Sequence, residues 1–96
     1  MDRQTVIEQL DRHKPELASR YGVTRLALFG STARDVARDD SDVDILVAFD
    51  GPATSQRYFG VQFYLEDLLN CSVDLVTDKA LRPELRPYVE QDAIHV

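Results

Sequence analysis

LFGSTARDVARDDSDVDILVAF, residues 28–49, is the stretch on which the reading of this chain turns. It sets a Gly-Ser turn, an arginine and two aspartates one residue apart between two apolar runs. RLALF (25–29) reads as a strand, and so does VDILVAF (43–49), where Val43, Ile45 and Val47 alternate with Asp44 and Leu46. Between them, a hydroxyl residue followed by alanines and a valine predicts a short helix starting at Ser31. RDDS (38–41) is then the polar loop that enters the second strand. The stretch is either a hairpin with a solvated loop or a cradle for a phosphorylated ligand and its metal ions.

Strand geometry weighs between the two. Side chains two positions apart project to one face, so Asp42 and Asp44 point the same way if strand geometry begins by Asp42. Aligned carboxylates repel, and a divalent cation relieves the repulsion: Mg²⁺ commonly takes one or two carboxylates plus phosphate oxygens of a substrate. Alone, the pair also fits a solvated strand entrance. Asp74 adds weight, because it interrupts the apolar run VDLV (73–76), where an ionised side chain is costly unless paired or metal-bound. If that third strand lies beside the second, three carboxylates converge on one face, as in two-metal phosphoryl-transfer sites. The competing reading puts Asp74 on the wet face of a half-exposed sheet. Gly30 permits close approach of backbone to a phosphate, and Ser31 offers a hydroxyl beside unpaired N–H groups, although Ser31 equally suits a simple helix cap. Arg34 lies near the same helical face, placed to contact phosphate or to tether the acidic loop. Asp39 and Asp40 read as solvated loop charges, and Glu66 and Asp67 as the wet face of a helix. His13 and His95 lack the partners and spacing of a zinc site.

The flanking sequence supplies the rest of an α/β unit. Thr5 and Glu8 have capping-box spacing, and Val6, Ile7, Leu10, Leu17 and Tyr21 recur at helical intervals up to Gly22. Pro15 is expected to disturb this helix near His13 and Lys14, giving one kinked helix or two short ones. After the breaker-rich DGPATS (50–55), QRYFGVQFYLEDLLN (56–70) is a helix and SVDLVT (72–77) a third strand. Leu81, Leu85 and Val89 suggest a last helix that Pro83 starts and Pro87 distorts, and AIHV (93–96) ends as a short edge strand. The expectation is a single domain over residues 1–96 of the α/β (α+β) class, a small mixed sheet flanked by helices.

Composition narrows the function classes. At 96 residues there is no room for a second substrate-binding domain, so a large substrate is met at the surface. Seventeen acidic against eleven basic side chains give a net charge of -6, which opposes bulk nucleic-acid binding. Cys71 is the single cysteine, so neither an intrachain disulfide nor a cysteine-rich zinc site forms. MDRQTVIEQLDRHK (1–14) interleaves charge with apolar residues and has neither a signal-peptide core nor a membrane span, so the expected compartment is the cytoplasm.

Taken together, Gly30-Ser31, Arg34, Ser41-Asp42-Val43-Asp44 and Asp74 resemble the nucleotidyltransferase signature of the DNA polymerase β superfamily. FGSTAR…SDVDILV…VDLV looks most like the minimal nucleotidyltransferases, the MNT antitoxins paired with HEPN ribonuclease toxins, and the likeness runs from RYGVTRLALFG (20–30) to the AIHV end. The resemblance implies a nucleotidyltransferase fold and a Mg²⁺-dependent protein adenylyltransferase that moves AMP from ATP to a tyrosine hydroxyl of a HEPN toxin, neutralising it within a hetero-oligomer. It implies that Asp42 and Asp44 hold two Mg²⁺ ions, that Asp74 completes one metal site and helps activate the acceptor, and that Gly30, Ser31, Arg34 and Ser41 bind the nucleotide. One departure stands out: the family pattern reads ARGE where this chain has Ala33-Arg34-Asp35-Val36. Asp35 is expected to hinder a turn that glycine eases, and its charge to disfavour nucleotide. Two other readings remain, an antitoxin that masks its toxin without chemistry and a nucleotidyltransferase acting on a small molecule; the short chain disfavours the second.

Overall fold

Asp2, rather than Thr5, caps the first helix: the Thr5 N–H donates to the Asp2 carboxylate at 2.7 Å. In the computed structural model, which describes residues 2–36 and 42–96, this helix, α1, runs from Arg3 to Tyr21 as one element and closes on Gly22 in the left-handed region. The expected interruption at Pro15 does not occur. Proline removes one helical hydrogen bond, but Pro15 lies on the exposed side, while Val6, Leu10 and Leu17 are buried on both sides of it. Contacts to a later helix also grip the helix around the proline: His13 Nδ1 lies 2.7 Å from the Tyr64 hydroxyl, which donates to Glu16. Tertiary burial outweighs the local defect.

The remaining elements are β1 (Val23–Phe29), α2 (Gly30–Ala33), β2 (Val43–Phe49), α3 (Ser55–Leu69), β3 (Val73–Thr77), α4 (Arg86–Asp92) and β4 (Ile94–His95). They form a four-stranded mixed sheet in the order β3-β2-β1-β4. β1 pairs antiparallel with β2 and β4, while β2 and β3 are parallel. β1 therefore starts earlier than the apolar run alone suggests. The last helix starts later than expected, at Arg86 instead of Pro83. Pro87 sits in its first turn, where the missing N–H has no helical partner to lose, so it helps start the helix instead of distorting it.

Strand alternation sorts the sheet residues onto two faces. Leu26, Leu28, Val43, Ile45, Val47, Val73 and Leu75 join Val6, Leu10 and Leu17 of α1 and Val61, Leu65 and Leu69 of α3 in the main core. The opposite face carries a smaller cluster of Ala27, Leu46 and Leu81, with Phe29, Val76 and Val89 packed against it. Leu85 stays exposed.

α3 also seals the outer edge of β3 with a row of side chains four residues apart. The Tyr58 hydroxyl donates to the Leu75 carbonyl (2.6 Å), Gln62 donates to the Val73 carbonyl (3.4 Å), and the Val73 N–H donates to Glu66 (3.1 Å). Tyr58 and Gln62, four helical residues or about 6 Å apart, match Leu75 and Val73, two strand residues or about 6.6 Å apart, and Glu66 takes the N–H of the same Val73. Glu66 is thus an edge cap, contrary to its reading as a wet-face charge. Phe59 and Phe63 face outward and stack on each other with centroids 6.1 Å apart.

Candidate active site

The sheet brings three of the predicted segments to one end. β1 finishes there at Phe29, which pairs with Asp44 near the start of β2, and Asp44 in turn pairs with Asp74 near the start of β3. The condition on which the convergence of carboxylates depended, adjacency of the second and third strands, is met. By alternation Asp44 and Asp74 share the face of Leu46 and Val76, away from α1 and α3. Leu81 and Val89 cover that face further along, whereas Asp74 is exposed and Asp44 only half-buried. Asp42, just before β2, is exposed as well.

Gly30 turns the chain directly against Asp44. Its φ of +73° lies in the left-handed region, and a Cβ added there would run into the Asp44 carboxylate. The turn then closes on itself: Arg34 N–H donates to the Gly30 carbonyl at 3.1 Å and Val36 N–H to the Ser31 carbonyl at 2.9 Å. Asp35 adopts φ +61°, the left-handed conformation that a glycine would take without strain. The turn forms despite Asp35. From α1, Arg3 donates to the Ala33 carbonyl at 3.3 Å and ties the turn to the body of the molecule.

Arg34 Nη1 donates to Asp92 at the end of α4, at 2.8 Å; the acidic loop that it is expected to tether falls outside the described residues. Ser41, and with it the expected loop charges Asp39 and Asp40, lies outside the described residues.

Electrostatics mark Asp44 as the centre of the site. Burial, and then the charge of Asp74 and a hydrogen bond with it, push its carboxyl up to about 6; Asp42 pushes the same way, and Arg34 pulls it back. A carboxylate crowded by two others gains from a cation, and a donor set made only of carboxylate oxygens suits a hard divalent ion such as Mg²⁺. Among the described residues no three metal-ligating side chains converge on a single point. Asp44 and Asp74 form the pair, with Asp42 at its margin. The chemistry of the donors fits the ion, and the nearness of the Gly30-Ser31 turn fits a phosphate chain beside it.

A cavity of about 180 Å³ occupies the other end of the β2/β3 pair, lined by residues such as Val47, Phe49, Thr77 and Lys79. It contains none of the predicted site residues.

A family model for the nucleotidyltransferase domain matches residues 10–96. The chain belongs to the nucleotidyltransferase family. Among relatives of this nucleotidyltransferase, the protein adenylyltransferase MntA of Thermococcus cleftensis is 39% identical over 87 residues, which span 91% of this chain and 88% of that protein. A solved structure assigned as a minimal nucleotidyltransferase superposes with a TM-score of 0.83 at 39% identity, covering 98% of this chain and 95% of the other. The fold also recurs in a structure of the tri-AMPylated Shewanella oneidensis HEPN toxin in complex with MNT antitoxin. There the TM-score is 0.60 at 20% identity, with 97% of this chain and 66% of that one covered. Two residues of this nucleotidyltransferase site went unread in the sequence. Asp92 and Arg3 reach the turn across 58 and 30 positions of chain, and no local pattern announces either contact.

Proposed function

We propose that this nucleotidyltransferase moves AMP from ATP to a tyrosine hydroxyl of a HEPN-class toxin and so neutralises it, as the antitoxin of a cytoplasmic toxin–antitoxin complex. The observation that carries the reading is the pairing of Asp44 with Asp74 beside the Gly30-Ser31 turn, on an open end of the sheet. The relative named protein adenylyltransferase and the neighbour solved with an AMPylated toxin support the same reading.

Each residue then has a task. Gly30 and Ser31 receive the β- and γ-phosphates through backbone N–H groups and the serine hydroxyl, and Arg34 and Ser41 complete the nucleotide contacts. Asp42, Asp44 and Asp74 would hold two Mg²⁺ ions, which supply charge neutralisation for the phosphates when bound. Asp74, exposed at the mouth, accepts the proton of the acceptor hydroxyl. The acceptor oxygen bonds to the α-phosphorus as the bond to the β-phosphate oxygen breaks, and pyrophosphate leaves with that electron pair. An exposed acid at a surface suits an acceptor presented by another protein better than a small molecule held in a pocket.

The strained Asp35 turn favours one second reading, an antitoxin that binds its toxin without transferring anything. Intact mass of the toxin after incubation with this protein, ATP and Mg²⁺ separates the two. Gain of whole AMP units with wild type and none with Asp44→Ala supports transfer at this site. No gain, with the toxin bound and inhibited, supports masking. Ser31→Ala is expected to weaken nucleotide binding by roughly 1.5–3 kcal/mol, the worth of a hydrogen bond to a charged group.

A further inference from the structure

The Arg34–Asp92 contact is the long-range tie between the phosphate turn and α4. Arg34 is the residue that closes α2, with its own N–H on the Gly30 carbonyl, so its side chain leaves from the turn itself. Asp92 meets it from the far end of the chain, at 2.8 Å, and is the more buried partner: its side chain is 27% exposed against 53% for Arg34.

Two features make this pair hard to explain as a stabilising ion pair. A half-exposed Arg–Asp pair contributes little to stability. Moreover, Asp92 is the last residue of α4, where the carbonyl end of a helix disfavours a negative charge. A carboxylate there is poorly placed unless a cation answers it.

The guanidinium lies within electrostatic reach of the site. Its charge acts on Asp44, opposing the effect of Asp42 and Asp74 on that carboxyl. Arginine carries five N–H donors in a rigid plane, and Asp92 engages it through Nη1. A guanidinium held at Nη1 has given up part of its rotamer freedom before a phosphate arrives, and preorganisation of this kind raises affinity without adding a contact.

We propose that Asp92 is a positioning residue for nucleotide: it holds Arg34 through Nη1 so that the rest of the guanidinium is presented to the phosphates beside the Gly30-Ser31 turn. The inference rests on the nucleotide-binding part of the proposed function. It assigns α4 to the nucleotide side of the site.

Calorimetric titration of the full chain with AMP-PNP and Mg²⁺ tests it without requiring transfer. Asp92→Ala and Asp92→Asn are expected to raise the Kd about three- to fivefold, Asp92→Glu to recover part of the loss, and thermal midpoints to stay within a few degrees of wild type. In the transfer assay the same variants raise the KM for ATP and leave kcat nearly unchanged. Arg34→Ala/Asp92→Ala is expected to bind no worse than Arg34→Ala alone, because Asp92 acts only through Arg34. Wild-type affinity in Asp92→Asn, tighter binding in that variant, or losses that add fully in the double variant overturn the proposal. Wild type that binds nucleotide but transfers nothing overturns the AMP-transfer reading and leaves this proposal to be decided by the titrations. Wild type that binds no nucleotide overturns both.

Discussion

Burial and Asp74 push the Asp44 carboxyl up from an ordinary 3.8 to about 6, so between those pH values the folded chain keeps a proton that the unfolded chain has released. With more protons on the native state, stability falls as pH rises through this window. The cost of ionised Asp44 is complete above pH about 6 and absent below about 4. Asp44→Asn keeps the shape and removes the charge. It is expected to be more stable than wild type at neutral pH, with the difference closing below pH about 4, while AMP transfer is lost. Urea melts of both proteins across the range check this; parallel curves refute it. The neighbouring strain at Asp35 predicts a second outcome. Replacing a left-handed non-glycine residue by glycine removes about 1 kcal/mol of strain or more, partly offset by about 0.4–1 kcal/mol of added unfolded-state entropy. Asp35→Gly is therefore expected to raise the melting temperature slightly and to speed transfer, since a charge beside the phosphate turn also disappears.

The same logic of partners works on whole elements. β3 is an edge strand, and an unprotected edge invites pairing with another chain. Tyr58, Gln62 and Glu66 satisfy three of its outward groups from α3, at a spacing that the sequence displays but does not interpret. Tyr58→Phe removes one hydrogen bond and is expected to cost about 1 kcal/mol. The combination Tyr58→Phe/Gln62→Ala/Glu66→Ala is expected to self-associate at concentrations where wild type does not, as read by sedimentation velocity. A monomeric triple variant would mean that the bulk of α3 alone guards the edge. α1 carries a related lesson: Pro15 predicts a break by its local chemistry, and the burial of Val6, Leu10 and Leu17 holds the helix together through it.

For the molecule as a whole, the sheet separates what folds from what reacts. The main core lies between the sheet and α1 with α3, and the acidic site lies on the opposite face. Chelation of divalent ions is accordingly expected to abolish AMP transfer while leaving the far-ultraviolet circular dichroism spectrum and the cooperativity of melting intact. Loss of structure with chelator would show that the carboxylates are part of the folding core. The described residues also contain no helix long and apolar enough to cross a membrane, and under the proposed function the local turn, with Arg34, attracts phosphate against the field of a net charge of -6.

The amino-acid sequence by itself determined the order of strands and helices and the α/β class, and it marked the Gly30-Ser31 turn and the aspartates as candidate site residues. Those features are encoded in short-range patterns: alternation at VDILVAF, a Gly-Ser between a strand and a helix, an aspartate in an otherwise apolar VDLV. Only the tertiary structure decided which strands are neighbours, and hence that Asp74 pairs with Asp44; it also put Glu66 on a strand edge, carried α1 through Pro15 and gave Arg34 to Asp92. These outcomes depend on groups far apart in the chain meeting in space. Their energies come from burial and charge pairing across the fold, and such pairings leave no periodicity in the sequence to read.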